Sequence, residues 1–119
     1  MPNQVLLLVD DDADIRESLQ LVLEDMGYRV RIAENGKDAL ENLKLAPKPD
    51  IIVTDLMMPV MNGFEFLQAL REHPKFGGIP IVVMSANRGY DASDLKVHEM
   101  IRKPFEIADL ARSLHKAVS

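Results

Sequence analysis

The chain contains no cysteine among its 119 residues. Disulfides and thiolate metal sites are therefore excluded, and a reducing compartment is weakly favoured. No apolar run approaches the roughly 18 residues of a membrane-spanning helix. No basic segment followed by a signal-like apolar stretch opens the sequence, so the expectation is a cytoplasmic protein rather than a secreted one. The formal net charge is −5 and no basic stripe is visible. Direct nucleic-acid binding, which needs cations to neutralise phosphates, is not expected. Glycine-rich phosphate loops are also missing. There is no GxxxxGK followed by Ser or Thr, and no GxGxxG after the first strand-like run. The first such turn is acidic, which argues against a nucleotide or flavin site. His73, His98 and His115 lie in polar sequence with no ligand spacing between them, which points to surface roles.

What is present is ordinary for one globular domain: 47% hydrophobic and 28% charged residues. A continuous apolar run over residues 5–9 has strand length and suits a parallel strand covered on both faces. Asp12 or Asp14 can cap the following helix, where Ile15, Leu19, Val22, Leu23 and Met26 recur at helical spacing before Gly27. Residues 28–33 alternate loosely as a second strand, with Arg29 and Arg31 on one side, as fits a sheet edge. Asn35 can cap a helix carrying Ala39, Leu40 and Leu43, which Pro47 and Pro49 end. Strands are then expected at 50–54, 81–84 and 100–102. Phe64, Leu67 and Leu70 mark a third helix, and a short fourth is expected over 92–97. Ile107, Leu110, Ala111 and Leu114 line the last. This is βα repeated five times. It predicts an α/β fold: a doubly wound parallel sheet in a three-layer sandwich, strand order 2-1-3-4-5.

The polar residues at the strand ends carry the functional reading. Asp10 and Asp11 follow the first strand, Asp55 the third, Ser85 the fourth and Lys103 the fifth. Ligands of open α/β sheets bind at that carboxyl edge, where the first and third strands part. Taken singly, each residue has a bland reading as a cap, a turn or a solvated side chain. All of them at successive βα junctions point to one site. Clustered carboxylates repel, and a divalent cation relieves the repulsion. Magnesium prefers oxygen ligands and retains waters, so Asp11 and Asp55 are candidates for direct ligation. Asp10 would act through a metal-bound water, and the backbone carbonyl of Met57 would add an oxygen. With Lys103 and Ser85 to steady a phosphoryl group, Asp55 would be the nucleophile.

In order and spacing, LLLVDDDADIRESL, DIIVTDLMMPVMNGFEFL, PIVVMSA and KPF resemble the response-regulator receiver domain of two-component signalling, chemotaxis regulators included. The resemblance covers essentially the whole chain and implies one receiver domain over residues 1–119. It implies that Asp55 takes phosphate from a sensor histidine kinase or a histidine phosphotransfer protein. It further implies that Asp10 and Asp11 arrange magnesium, that Ser85 moves toward the phosphate and that Lys103 contacts it. The Lys103–Pro104 bond is expected to be cis. Output would pass through a changed surface on the fourth helix, fifth strand and fifth helix to a downstream protein, with no membrane contact. Such a domain is an enzyme only in promoting its own phosphorylation and dephosphorylation.

Three departures bear on that output. Met100 stands where receivers commonly carry Tyr or Phe. His98 and Glu99 replace a pair of small residues. Only 17 residues separate Ser85 from Lys103, so the fourth helix should be shortened or irregular. Met100, Asn87 and Pro104 are the candidate switch and output positions, and Met57 and Asn87 lie where receivers tune access of the hydrolytic water. Two other functions stay open at this point: a receiver-like scaffold that works without phosphorylation, and a small magnesium-dependent phosphohydrolase. A stand-alone protein and a domain of a longer regulator are equally compatible with the sequence.

Overall fold

The computed structural model describes residues 4–45, 47–86 and 92–118. Among the described residues five strands and five helices alternate: β1 (Val5–Val9), α1 (Ala13–Asp25), β2 (Arg29–Ala33), α2 (Gly36–Leu43), β3 (Ile51–Asp55), α3 (Gly63–Glu72), β4 (Ile81–Ser85), α4 (Ala92–Leu95), β5 (Glu99–Arg102) and α5 (Ile107–Val118). All pairings are parallel and the order is β2-β1-β3-β4-β5, as the alternation of elements predicts.

Period-two alternation along the central strands splits the core into two layers. Leu7, Val9, Ile52, Ile81 and Val83 face Ala39 and Leu43 of α2 and Phe66, Leu67 and Leu70 of α3. Leu6, Leu8, Ile51, Val53, Val82 and Met84 face Leu23 of α1 and Leu110, Leu114 and Ala117 of α5. Every residue of β1, β3 and β4 is buried, which explains their unbroken apolar runs. At the edge, β2 carries an exposed Arg29 and a half-buried Arg31.

The caps follow the sequence. The Asp12 carboxylate accepts the N–H groups of Asp14 and Ile15 at 3.0 and 3.1 Å, which settles the first cap on Asp12. Gly27 ends α1 with φ 103°, a conformation costly for any side chain. Asn35 accepts from the Asp38 N–H at 2.9 Å. In α3 a reciprocal box forms, Asn62 accepting from the Glu65 N–H at 2.9 Å and Glu65 from the Asn62 N–H at 3.1 Å.

Three expectations need adjusting. The fully buried aromatic of α3 is Phe66, while Phe64 is only partly covered. Ile107 is 55% exposed and Ala111 is exposed as well, so α5 buries Leu110, Leu114 and Ala117 instead. The fourth helix stops at Leu95, before residue 97, because Lys96 turns the chain out with φ 57°.

Candidate functional site

The carboxyl edge of the sheet brings the strand-end residues together. Asp10 continues β1 by donating its N–H to the Ala33 carbonyl at 3.1 Å. Its side chain is fully buried. One of its oxygens accepts from the Asp12 N–H at 2.9 Å, and the other from Lys103 Nζ at 3.2 Å. Asp55, 8% exposed, ends β3. Its Oδ1 accepts the N–H groups of Leu56 and Met57 at 2.7 and 3.2 Å, and its Oδ2 accepts Lys103 Nζ at 2.8 Å. Asp11 is exposed, yet carboxylate oxygens of Asp10, Asp11 and Asp55 all lie within 4.8 Å of one another.

Burial raises the Asp10 pKa above its ordinary 3.8, and the nearby Asp55 charge adds to the rise; the Asp12 N–H and Lys103 only partly offset it. Burial would lower Lys103. The hydrogen bond and charge of Asp55, with those of Asp10, outweigh burial and hold the ammonium above its ordinary 10.5. Lys103 pairs with two of the three clustered carboxylates, so the cluster keeps an excess of negative charge, which fits a hard divalent ion with oxygen ligands.

Ser85 ends β4 beside this cluster and is fully buried. Its carbonyl accepts the Lys103 N–H at 2.9 Å, tying the lysine's backbone to β4. The Lys103–Pro104 peptide is cis, and Pro104 is exposed. The two loop methionines separate: Met57 is 64% exposed at the rim and Met58 is buried in the core. Met100 is partly buried against the α2–α3 layer. Asn87 lies outside the described residues. The three histidines are all exposed. His73 accepts the Lys75 N–H at 3.0 Å and His98 the Ile81 N–H at 3.1 Å, both at the opposite edge of the sheet.

Three supporting residues escaped the sequence reading. Arg16 donates through Nη1 to the Asp10 carbonyl at 2.8 Å, fixing the backbone at the first strand end. The Thr54 hydroxyl donates to the Asp55 carbonyl at 2.9 Å. Gly63 presses against the end of β3, where an added Cβ would meet the Asp55 carbonyl oxygen at 2.5 Å. Glycine in the MNGFEF segment was the one available signal for such a close approach; nothing in sequence marks the other two.

A model of the response regulator receiver domain matches residues 6–115. The chain belongs to that family. This receiver domain is 37% identical over 111 residues to response regulator Rre1 of Synechocystis, covering 88% of the present chain and 47% of that protein. The chain thus spans about half the length of the curated relatives it matches first. The chemotaxis response regulator CheY4 of Vibrio cholerae superposes with TM-score 0.87 at 29% identity, over 97% of this chain and 98% of that one. The receiver domain of sensor histidine kinase PA1611 from Pseudomonas aeruginosa, with a magnesium ion in its active-site cleft, gives TM-score 0.87 at 26% identity over 98% of each chain. The acidic pocket of Asp10, Asp11 and Asp55 is consistent with magnesium binding and aspartyl phosphorylation in a two-component receiver. No helix among the described residues is long and apolar enough to cross a membrane.

Proposed function

We propose that Asp55 accepts a phosphoryl group from a phosphorylated histidine on a sensor kinase or phosphotransfer protein. The carrying observation is the Asp55 carboxylate, held 2.8 Å from the Lys103 ammonium within a cluster of three carboxylates. Oδ1 is engaged by two backbone N–H groups. Oδ2 faces the flexible Lys103 side chain, so it is the oxygen that attacks phosphorus. A P–O bond forms and the P–N bond to the donor imidazole breaks. The imidazole leaves and takes up a proton, and Asp55 becomes an acyl phosphate. Lys103 follows the transferred group and neutralises its equatorial oxygens.

Magnesium would be held by Asp10, Asp11, Asp55 and the Met57 carbonyl, and when bound it supplies charge compensation for the incoming phosphoryl oxygens. Ser85 ends the neighbouring strand, buried beside the cluster, and would donate its hydroxyl to the phosphoryl group. The same reading makes residues 1–119 one receiver domain. It acts in the cytoplasm and promotes its own phosphorylation and dephosphorylation, passing the signal to a downstream protein.

The test is incubation with magnesium and a small acyl-phosphate donor, followed by intact-mass measurement. One added phosphoryl group, absent in Asp55→Ala and supported by formation of a beryllofluoride complex, is expected. An adduct that survives Asp55→Ala would move the acceptor elsewhere. Turnover of unrelated phosphomonoesters would favour the phosphohydrolase reading.

A further inference from the structure

The fourth helix is too short to satisfy its own end. In four residues, Ala92–Leu95, its carbonyls find few intrahelical partners. One of them is satisfied from another element: Arg71 on α3 donates through Nη1 to the Leu95 carbonyl at 2.9 Å. Its Nη2 leans on Gln68 Oε1 at 3.4 Å, which steadies the guanidinium along α3. Just beyond, His98 donates its N–H to the Ile81 carbonyl at 3.1 Å, and its Nδ1 accepts the Ile81 N–H at 3.1 Å. The connection from α4 to β5 is thus pinned at Leu95 by Arg71 and at His98 by β4.

The other end of α3 has no slack against the phosphoryl site. Gly63 donates its N–H to the Leu56 carbonyl at 2.8 Å. A Cβ on Gly63 would lie 2.5 Å from the Asp55 carbonyl oxygen and 2.6 Å from Leu56 Cα. The capping box fixes the first turn. Phe66, Leu67 and Leu70 bury its inner face. A displacement of residues 55–57 is therefore carried into α3 as a body, and Arg71 sits in that helix's last turn.

We propose that Arg71 is a positioning residue for signal output: its hydrogen bond to the Leu95 carbonyl latches the α4–β5 connection in the resting state, and phosphorylation releases it through α3. This rests on Asp55 being the phosphoryl acceptor. The added charge draws on the Leu56 and Met57 N–H groups that now hold Oδ1. Their movement carries Gly63 with them. The Arg71–Leu95 contact is one hydrogen bond from an exposed side chain, whereas the rest of α3 is held by core packing. It is the contact that yields. Met100, apolar and half-buried, offers no hydroxyl for a second route from Ser85.

The test is amide hydrogen exchange at Ile81, Lys96 and His98, with phosphorylation followed by intact mass on the same samples. In the unmodified sequence, phosphorylation should speed exchange at Lys96 and His98 on the order of tenfold, the loss of one charged hydrogen bond. Arg71→Ala should show that faster exchange before phosphorylation and gain nothing further after it, while its adduct forms at the normal rate. Arg71→Lys, which keeps a cation without the fork, should fall between. A phosphorylation-induced increment that persists undiminished in Arg71→Ala would overturn the latch, because a purely structural contact behaves that way. An adduct with unchanged exchange at Lys96 and His98 would also overturn it and leave Asp55 as acceptor. No adduct at all would remove both.

Discussion

Lys103 Nζ lies 2.8 Å from Asp55 Oδ2, joining residues 48 apart in sequence, and the same ammonium reaches Asp10 at 3.2 Å. One cation at the end of β5 thus neutralises carboxylates delivered by β3 and β1. It is their counter-ion as the site stands, and under the proposed function it would compete with a metal for the same oxygens.

Replacing it separates those roles. Lys103→Met should lower the stability of the metal-free protein by about 2 kcal/mol, because two largely buried carboxylates lose their partner; partial exposure of the lysine keeps the figure below that of a fully buried pair. Magnesium should bind about tenfold more tightly, a positive charge having been removed from beside the ion. Phosphoryl uptake from a small donor should slow at least about tenfold. Urea denaturation in chelator, magnesium titration and intact-mass time courses measure the three effects. Weaker magnesium binding would contradict the competition.

Asp10 gives a pH dependence with a defined sign. Its folded pKa is raised above 3.8, burial being the main cause. Below 3.8 both folded and unfolded forms hold the proton. As pH rises, the unfolded chain releases it first, so this residue's contribution to folding declines until the folded form also ionises. At neutral pH the buried carboxylate is a net cost in the absence of metal. Asp10→Asn should therefore stabilise the metal-free protein at pH 7, with the gain shrinking as the pH falls toward 4. Denaturation in chelator at both values checks it, and a destabilised variant at pH 7 would refute it.

Gly63→Ala probes the junction between α3 and the end of β3. A methyl 2.5 Å from the Asp55 carbonyl oxygen and 2.6 Å from Leu56 Cα has mainly backbone to push against. A loss on the order of 2 kcal/mol is expected, together with slower phosphoryl uptake as Asp55 is displaced. A neutral change in both would mean that the helix shifts freely, and would weaken the coupling assigned to it.

Val60 probes strain in the same loop. It is β-branched, has φ 67° and is 75% exposed, so its side chain gains little from burial. Val60→Gly should stabilise the fold by about 1 kcal/mol by removing the steric cost of that conformation. Chemical denaturation reads the sign directly.

Much of this molecule is legible in the chain. Strands buried on both faces leave unbroken apolar runs such as VLLLV, and the residues just beyond each run have to emerge at one edge. That is why Asp10, Asp55 and Lys103 can be placed together without coordinates. Side-chain detail is a different matter. The fork of Arg71 finds Leu95 only because α4 ends early, and no local pattern encodes a contact across 24 residues. The positive φ of Val60 is imposed by the loop against its own propensity. Ile107 follows the spacing of a buried face, yet the helix enters the layer only one turn later. The site's composition is local information, whereas its couplings are tertiary.

The open border of β2 also governs how this molecule meets its own kind. Arg29 projects into water there, while Arg31 reaches over to the carbonyls of Leu45 and Pro47 at 3.4 and 2.9 Å. A second copy laying its β2 alongside would set arginine against arginine. The flank that could otherwise template fibre growth is defended by like-charge repulsion, a safeguard for a chain rich in unbroken valine, leucine and isoleucine segments.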